Sequence, residues 1–93
     1  MTLKEITADP AAKFVDVRSP MEFNSGHVGG AVNIPLDDFV FRYKEIDGLG
    51  KTPVIFYCRS GNRSSRAVEY LNSIGIKNIY DGGAISDLVT YLN

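Results

Sequence analysis

The sequence predicts an α/β fold, a parallel sheet with helices on both faces, in one domain spanning residues 1–93. Three observations carry this expectation. Short runs of strand-forming residues alternate with segments of helical apolar spacing, the order that builds parallel sheets. The two strongest strand candidates, Phe14-Val15-Asp16-Val17 and Val54-Ile55-Phe56-Tyr57, offer apolar residues to both faces, as strands buried between helix layers do. Polar, charged or glycine-containing residues then gather where the strands end, at Arg18, at Cys58 and at Asp81-Gly82. That carboxyl edge is where open parallel sheets place their sites.

In chain order, Leu3–Ile6 is expected as a short first strand and Thr7-Ala8-Asp9-Pro10 as a turn. Phe14–Val17 follows as a strand. Ser19-Pro20-Met21-Glu22 reads as a helix start, with Ser19 as N-cap, Pro20 at the first helical position and Glu22 closing a capping box. Ser25-Gly26 stops this helix, Gly26–Ala31 is a glycine-rich bend, and Val32–Pro35 is a brief strand. Those glycines lack the spacing and the strand-to-helix setting of a phosphate-binding loop. Leu36–Ile46 is expected as one amphipathic helix with Leu36, Phe39, Val40 and Tyr43 on its inner face. After a loop through Pro53 comes the central strand Val54–Tyr57. The polar loop Cys58–Ser65 leads into a helix whose apolar face is Ala67, Val68, Leu71 and Ile74, with Gly75 as its stop. Lys77–Tyr80 is a last strand, Asp81-Gly82-Gly83 a turn, and Ile85–Leu92 a closing helix.

Composition narrows the function. A hydrophobic share of 44% with 23% charged residues suits a folded globular chain. The net charge of −1 supplies no global field for nucleic acid. No stretch is long and apolar enough for a membrane span, and residues 1–6 lack a signal core, so a cytoplasmic location is the expectation. A single cysteine rules out an internal disulfide, so sulfur chemistry at Cys58 must end on an external acceptor.

Cys58 sits where an apolar strand meets a basic, polar loop. A lone cysteine after such a strand is commonly a small packing residue. Here the helix start, with its free N–H groups, and Arg59, Arg63 and Arg66 favour the thiolate and an anion beside it.

Two segments carry a family resemblance. Asp16-Val17-Arg18-Ser19-Pro20-Met21-Glu22-Phe23, continued by Gly26–Pro35, and Cys58-Arg59-Ser60-Gly61-Asn62-Arg63-Ser64 are similar, in this order, to the signatures of single-domain rhodaneses. With Asp81-Gly82-Gly83 the resemblance covers nearly the whole chain. It implies a three-layer fold around a sheet of about five parallel strands, and a thiosulfate-type sulfurtransferase without cofactor or metal. By the same resemblance Cys58 is the nucleophile and persulfide carrier. The backbone amides of Arg59, Ser60, Gly61, Asn62, Arg63 and Ser64 would cradle its sulfur. The partners implied are a small anionic sulfur donor and a thiol or cyanide acceptor, with a protein acceptor also open. The stretch Ala84-Ile85-Ser86-Asp87-Leu88 departs from the family by lacking a tryptophan.

Individual residues are weighed against plainer roles. Arg63 is expected to be largely exposed and to hold the anionic donor; the alternative is a loop arginine paired with a carboxylate. Arg59 is expected to face solvent. Arg18 either reaches the pocket or anchors Glu22 or another carboxylate. Asp16 is expected to tie the loop by hydrogen bonds, since a buried carboxylate needs partners. His27 is expected to be structural, and Ser64 and Ser65 to satisfy N–H groups at the helix start. Two other functions compete. A cysteine phosphatase or arsenate reductase carries five residues between its cysteine and arginine; here there are four, and Ser64 stands where that arginine would be. A non-catalytic binding or sulfur-carrier module is the third reading.

Overall fold

The computed structural model describes residues 1–92. It contains α1 (Leu3–Thr7), β1 (Lys13–Asp16), α2 (Pro20–Asn24), β2 (Val32–Asn33), α3 (Phe39–Arg42), β3 (Val54–Cys58), α4 (Asn62–Ser73), β4 (Ile79–Ala84) and α5 (Ile85–Leu88). The strands form one parallel sheet in the order β2-β1-β3-β4.

β3 is the spine. All five of its residues are buried, and their alternation divides the core into two layers. Val54, Phe56 and Cys58 join Val15, Phe39, Ala67 and Leu71 on the face covered by α3 and α4. Ile55 and Tyr57 join Ile6, Val28 and Leu88 on the face covered by α1 and α5. A two-residue period therefore places the cysteine under α4 and not under α5.

Four strands are found among the described residues, not about five, because Leu3–Thr7 is helical. Thr2 is its N-cap: the Thr2 hydroxyl accepts from the Glu5 amide, and the Glu5 carboxylate accepts from the Thr2 amide. Thr-x-x-Glu is a capping box, and this local pairing outweighs the strand tendency of so short a run. The same device starts α2, where Ser19, Pro20 and Glu22 take the expected positions.

The expected helix over Leu36–Ile46 is broken into a 3₁₀ turn, the short α3 and a second 3₁₀ turn. Three-residue turns align positions three apart. They keep Leu36 and Phe39 inward with Tyr43 and roll Val40 outward, so Val40 leaves the inner face and is 53% exposed. Phe39 meets Phe56 edge-on at 5.7 Å between ring centroids, a favoured aromatic geometry.

α4 ends as its sequence predicts. Gly75 has φ +84°, its amide donates to the Asn72 carbonyl, and the Ile76 amide donates to the Leu71 carbonyl, a Schellman closure. Ala67 and Leu71 are buried, but Ile74 lies at the cap and is largely exposed.

Asp81-Gly82-Gly83 is not a turn. It lies within β4 as a bulge: Phe56 pairs with Asp81 and Tyr57 with Gly83, leaving Gly82 as the extra residue. A Cβ on Gly82 would stand 2.9 Å from Ile55 Cγ2 and 3.1 Å from the Phe56 carbonyl oxygen, so only glycine lets β4 lie this close. The closing helix is also shorter than expected, giving way to a 3₁₀ turn over Val89–Tyr91.

Candidate active site

Cys58 is the last residue of β3, and the chain must reverse there to begin α4. Gly61 makes the reversal with φ +96°, a conformation that L side chains rarely adopt. α4 then starts at Asn62, earlier than expected, so half of the polar loop is its first helical turn. The amides from the N-cap Gly61 to Ser64 have no intrahelical acceptor; the first such bond runs from the Ser65 amide to the Gly61 carbonyl. Two donors close on the sulfur: the Gly61 amide lies 3.0 Å from Cys58 Sγ and the Ser64 amide 3.4 Å. Ser64 Oγ is 3.6 Å away.

Cys58 has no exposed surface. That burial is the largest single influence on its thiol and opposes ionisation. The Ser64 hydroxyl and the amides of Ser64, Ser60 and Gly61 together outweigh it and hold the thiol below its ordinary value. The amide donors of the loop thus supply what the sequence alone ascribes partly to arginines. Arg59 and Arg66 are exposed, and the charge of Arg63 is matched by a carboxylate.

That carboxylate is Glu22. Arg63 donates from Nη1 to Glu22 Oε1 at 2.7 Å and from Nη2 to Oε2 at 3.0 Å, a bidentate pair. The Arg63 side chain is 33% exposed, which corrects the expectation of a largely exposed residue. Glu22 is held down to about 2, chiefly by the Arg63 hydrogen bond and then by the Ser19 amide. Folding favours its ionised form. The stabilisation is therefore full above the ordinary carboxylate range and is lost as pH falls toward about 2.

Arg18 anchors a carboxylate, but that of Asp16 and not of Glu22. Its Nε lies 3.0 Å from both Asp16 oxygens, and its Nη2 lies 2.6 Å from Oδ2 and 2.7 Å from the Gly26 carbonyl. Asp16 Oδ1 also accepts from the Arg18 amide at 2.8 Å. The guanidinium stands over the Tyr57 ring, whose hydroxyl accepts from the Val28 amide. This lock holds the glycine-rich bend against the sheet. Asp16 makes the loop-tying hydrogen bonds expected of it, within its own loop and not to the cysteine loop.

Ser64 and Ser65 do not cap the helix. The Ser64 hydroxyl is shared between Asp81 Oδ1 at 2.7 Å and the Gly61 carbonyl at 3.1 Å, and Ser65 donates to the Asn62 carbonyl. Asp81, expected in a turn at the carboxyl edge of the sheet, is one hydrogen bond from the residue that touches the sulfur. Its Oδ1 also accepts from the Gly83 amide. Its pairing with Phe56 puts it on the face of the sheet that α4 covers, and the bulge at Gly82 follows it. His27 stacks on Phe23 and shares a hydrogen bond with the Phe23 carbonyl through Nδ1. A depression beside the loop is lined by Arg18, Glu22, Ser25, Arg59, Ile85 and Ser86.

This arrangement has counterparts among known proteins. YqhL of Bacillus subtilis 168, an uncharacterized protein, is 43% identical over 70 residues, which are 75% of this chain but only 54% of YqhL. Thiosulfate sulfurtransferase PspE of Escherichia coli K12 is 32% identical over 78 residues, 84% of this chain and 75% of PspE. A solved structure described as a rhodanese with anions from E. coli superposes with a TM-score of 0.76 at 32% identity, covering 83% of this chain and 91% of that one. The family model for the Rhodanese-like domain matches residues 2–84, from the cap of α1 to the end of β4, and the chain belongs to that family.

Proposed function

We propose that the protein is a thiosulfate-type sulfurtransferase working through a persulfide on Cys58. The observation that carries this reading is the pair of amides, from Gly61 and Ser64, directed at a single sulfur atom. Donors fixed in advance stabilise charge without reorganising during the reaction. The Cys58 thiolate attacks the outer sulfur of thiosulfate. The donor's S–S bond breaks, its electron pair leaves with sulfite, and Cys58 carries the transferred sulfur as an anionic persulfide. Cyanide or a thiol then attacks that outer sulfur and restores the thiolate, the two half-reactions of a covalent mechanism. A protein acceptor fits the same second step. The phosphatase reading is disfavoured by the ring itself. It closes one residue too early for a tetrahedral oxyanion, and Ser64 occupies the arginine position.

The test is to incubate the protein with thiosulfate, remove the donor and weigh the chain. One added sulfur atom is expected, lost on adding cyanide with release of thiocyanate. Hydrolysis of aryl phosphates through Cys58, with no added sulfur, would replace this reading with the phosphatase one.

The lowered thiol sets a pH profile. Only the thiolate attacks, so persulfide formation at limiting thiosulfate should rise with pH about a midpoint lower than that of an ordinary cysteine thiol. Stopped-flow rates across pH check this. A midpoint above that of an ordinary cysteine thiol would mean that burial, and not the donors, controls the thiol.

A further inference from the structure

We propose that Glu22 is a specificity-determining residue that sets which sulfur donors the site accepts by occupying Arg63. This rests on the sulfurtransferase reading and goes beyond it to the charge class of the donor. Arg18 is consumed by Asp16 and Arg63 by Glu22, both through two-toothed contacts. Asp81 places a further carboxylate one hydrogen bond beyond Ser64 Oγ. Arg59 makes no ion pair among the described residues and is exposed at the rim of the depression that Glu22 also lines. Of the three arginines and three carboxylates around the sulfur, the two pairs cancel, which leaves one uncompensated cation, Arg59, and one carboxylate without an arginine partner, Asp81 beside Ser64. Such a field receives a donor with one negative charge readily and penalises a second charge. The half-buried wall of Ile85 adds an apolar surface for an organic substituent. The donor class that fits is monoanionic, with an apolar body behind the outer sulfur. Thiosulfate is then a usable but disfavoured dianion.

Glu22 is suited to this role because its carboxylate is fixed from two directions. Arg63 holds both oxygens, and the Ser19 amide and hydroxyl hold Oε1 at 3.1 and 3.2 Å. Glutamine at this position still closes a capping box, so Glu22→Gln removes the charge while keeping the helix start.

The experiment compares thiosulfate, a dianion, with benzenethiosulfonate, a monoanion. Each transfers its outer sulfur to the Cys58 thiolate; the S–S bond breaks and the electron pair leaves with sulfite or with benzenesulfinate. The readout is the ratio of kcat/KM for thiosulfate to that for benzenethiosulfonate. Glu22→Gln should raise this ratio about three- to tenfold, and Arg63→Gln should lower it by a similar factor, the effect of one unit charge acting across several ångströms of partly wet surface. The double variant Glu22→Gln/Arg63→Gln restores the net charge and should return the ratio to within about twofold of the original. If Glu22→Gln does not fold, the direction of change in Arg63→Gln decides the matter. A ratio unmoved in the single variants, with persulfide still formed from both donors, would reduce the pair to a structural tie and overturn the proposal alone. A wild-type chain that forms a persulfide with neither donor would remove the sulfurtransferase reading and the proposal with it.

Discussion

Cys58→Ser is expected to lose sulfur transfer by at least about a thousandfold, the scale seen when a covalent nucleophile is removed. A serine hydroxyl at neutral pH is not ionised, and the donors that lower a thiol do too little to ionise an alcohol. The fold should survive. The serine oxygen would meet the same Gly61 and Ser64 amides that now face the sulfur, so no buried polar group is left without a partner. The variant should therefore melt within a few degrees of the original, gain no sulfur from thiosulfate and release no thiocyanate with cyanide. Sulfur transfer retained in a folded Cys58→Ser would place the carrier elsewhere, although the chain has no second cysteine to take the role.

Arg18→Met is expected to give the largest loss of stability. Asp16 has no exposed surface, and Arg18 supplies its countercharge and its guanidinium donors, leaving the Arg18 amide and the neutral Tyr57 hydroxyl beside it. Removing one partner of a buried pair strands the other charge, at a cost of about 3–5 kcal/mol. For a domain whose whole stability is roughly 5–15 kcal/mol, that is a large fraction. It should lower Tm by about ten degrees or more. The Gly26 carbonyl loses its donor as well, so the bend that follows α2 should loosen. Adding Asp16→Leu should recover much of the loss, because two apolar side chains leave no stranded charge. Thermal and urea unfolding of the single and double variants would measure this. A single-variant loss under about 1 kcal/mol would mean that water replaces the guanidinium at Asp16.

The sequence by itself determined the parts of this protein that depend on near neighbours in the chain. The run Val54–Tyr57 had to be a buried strand, Ser19-Pro20-Met21-Glu22 a helix start, and Gly75 a helix stop, because period, cap and left-handed turn are local properties. That a helix start with free N–H groups follows Cys58 was local too; the residue at which it starts was not, and of the amides from Arg59 to Ser64 those of Gly61 and Ser64 donate to the sulfur. Thr2-Leu3-Lys4-Glu5 was equally local and carried the signature of a helix, but the short apolar run was read as a strand. Only the tertiary structure decided the rest. Arg63 meets Glu22 across 41 positions of sequence, and Ser64 meets Asp81 across 17. The first contact exists because β1 and β3 are adjacent and parallel, so α2 and α4, each beginning four residues beyond its strand, start side by side. The second exists because Asp81 pairs with Phe56 and so stands on the face of the sheet that α4 covers, where Ser64 lies. Strand order and register are set by packing of the whole sheet. The partner of a charged side chain, and with it the role of Arg63, could not be read from the residues around it.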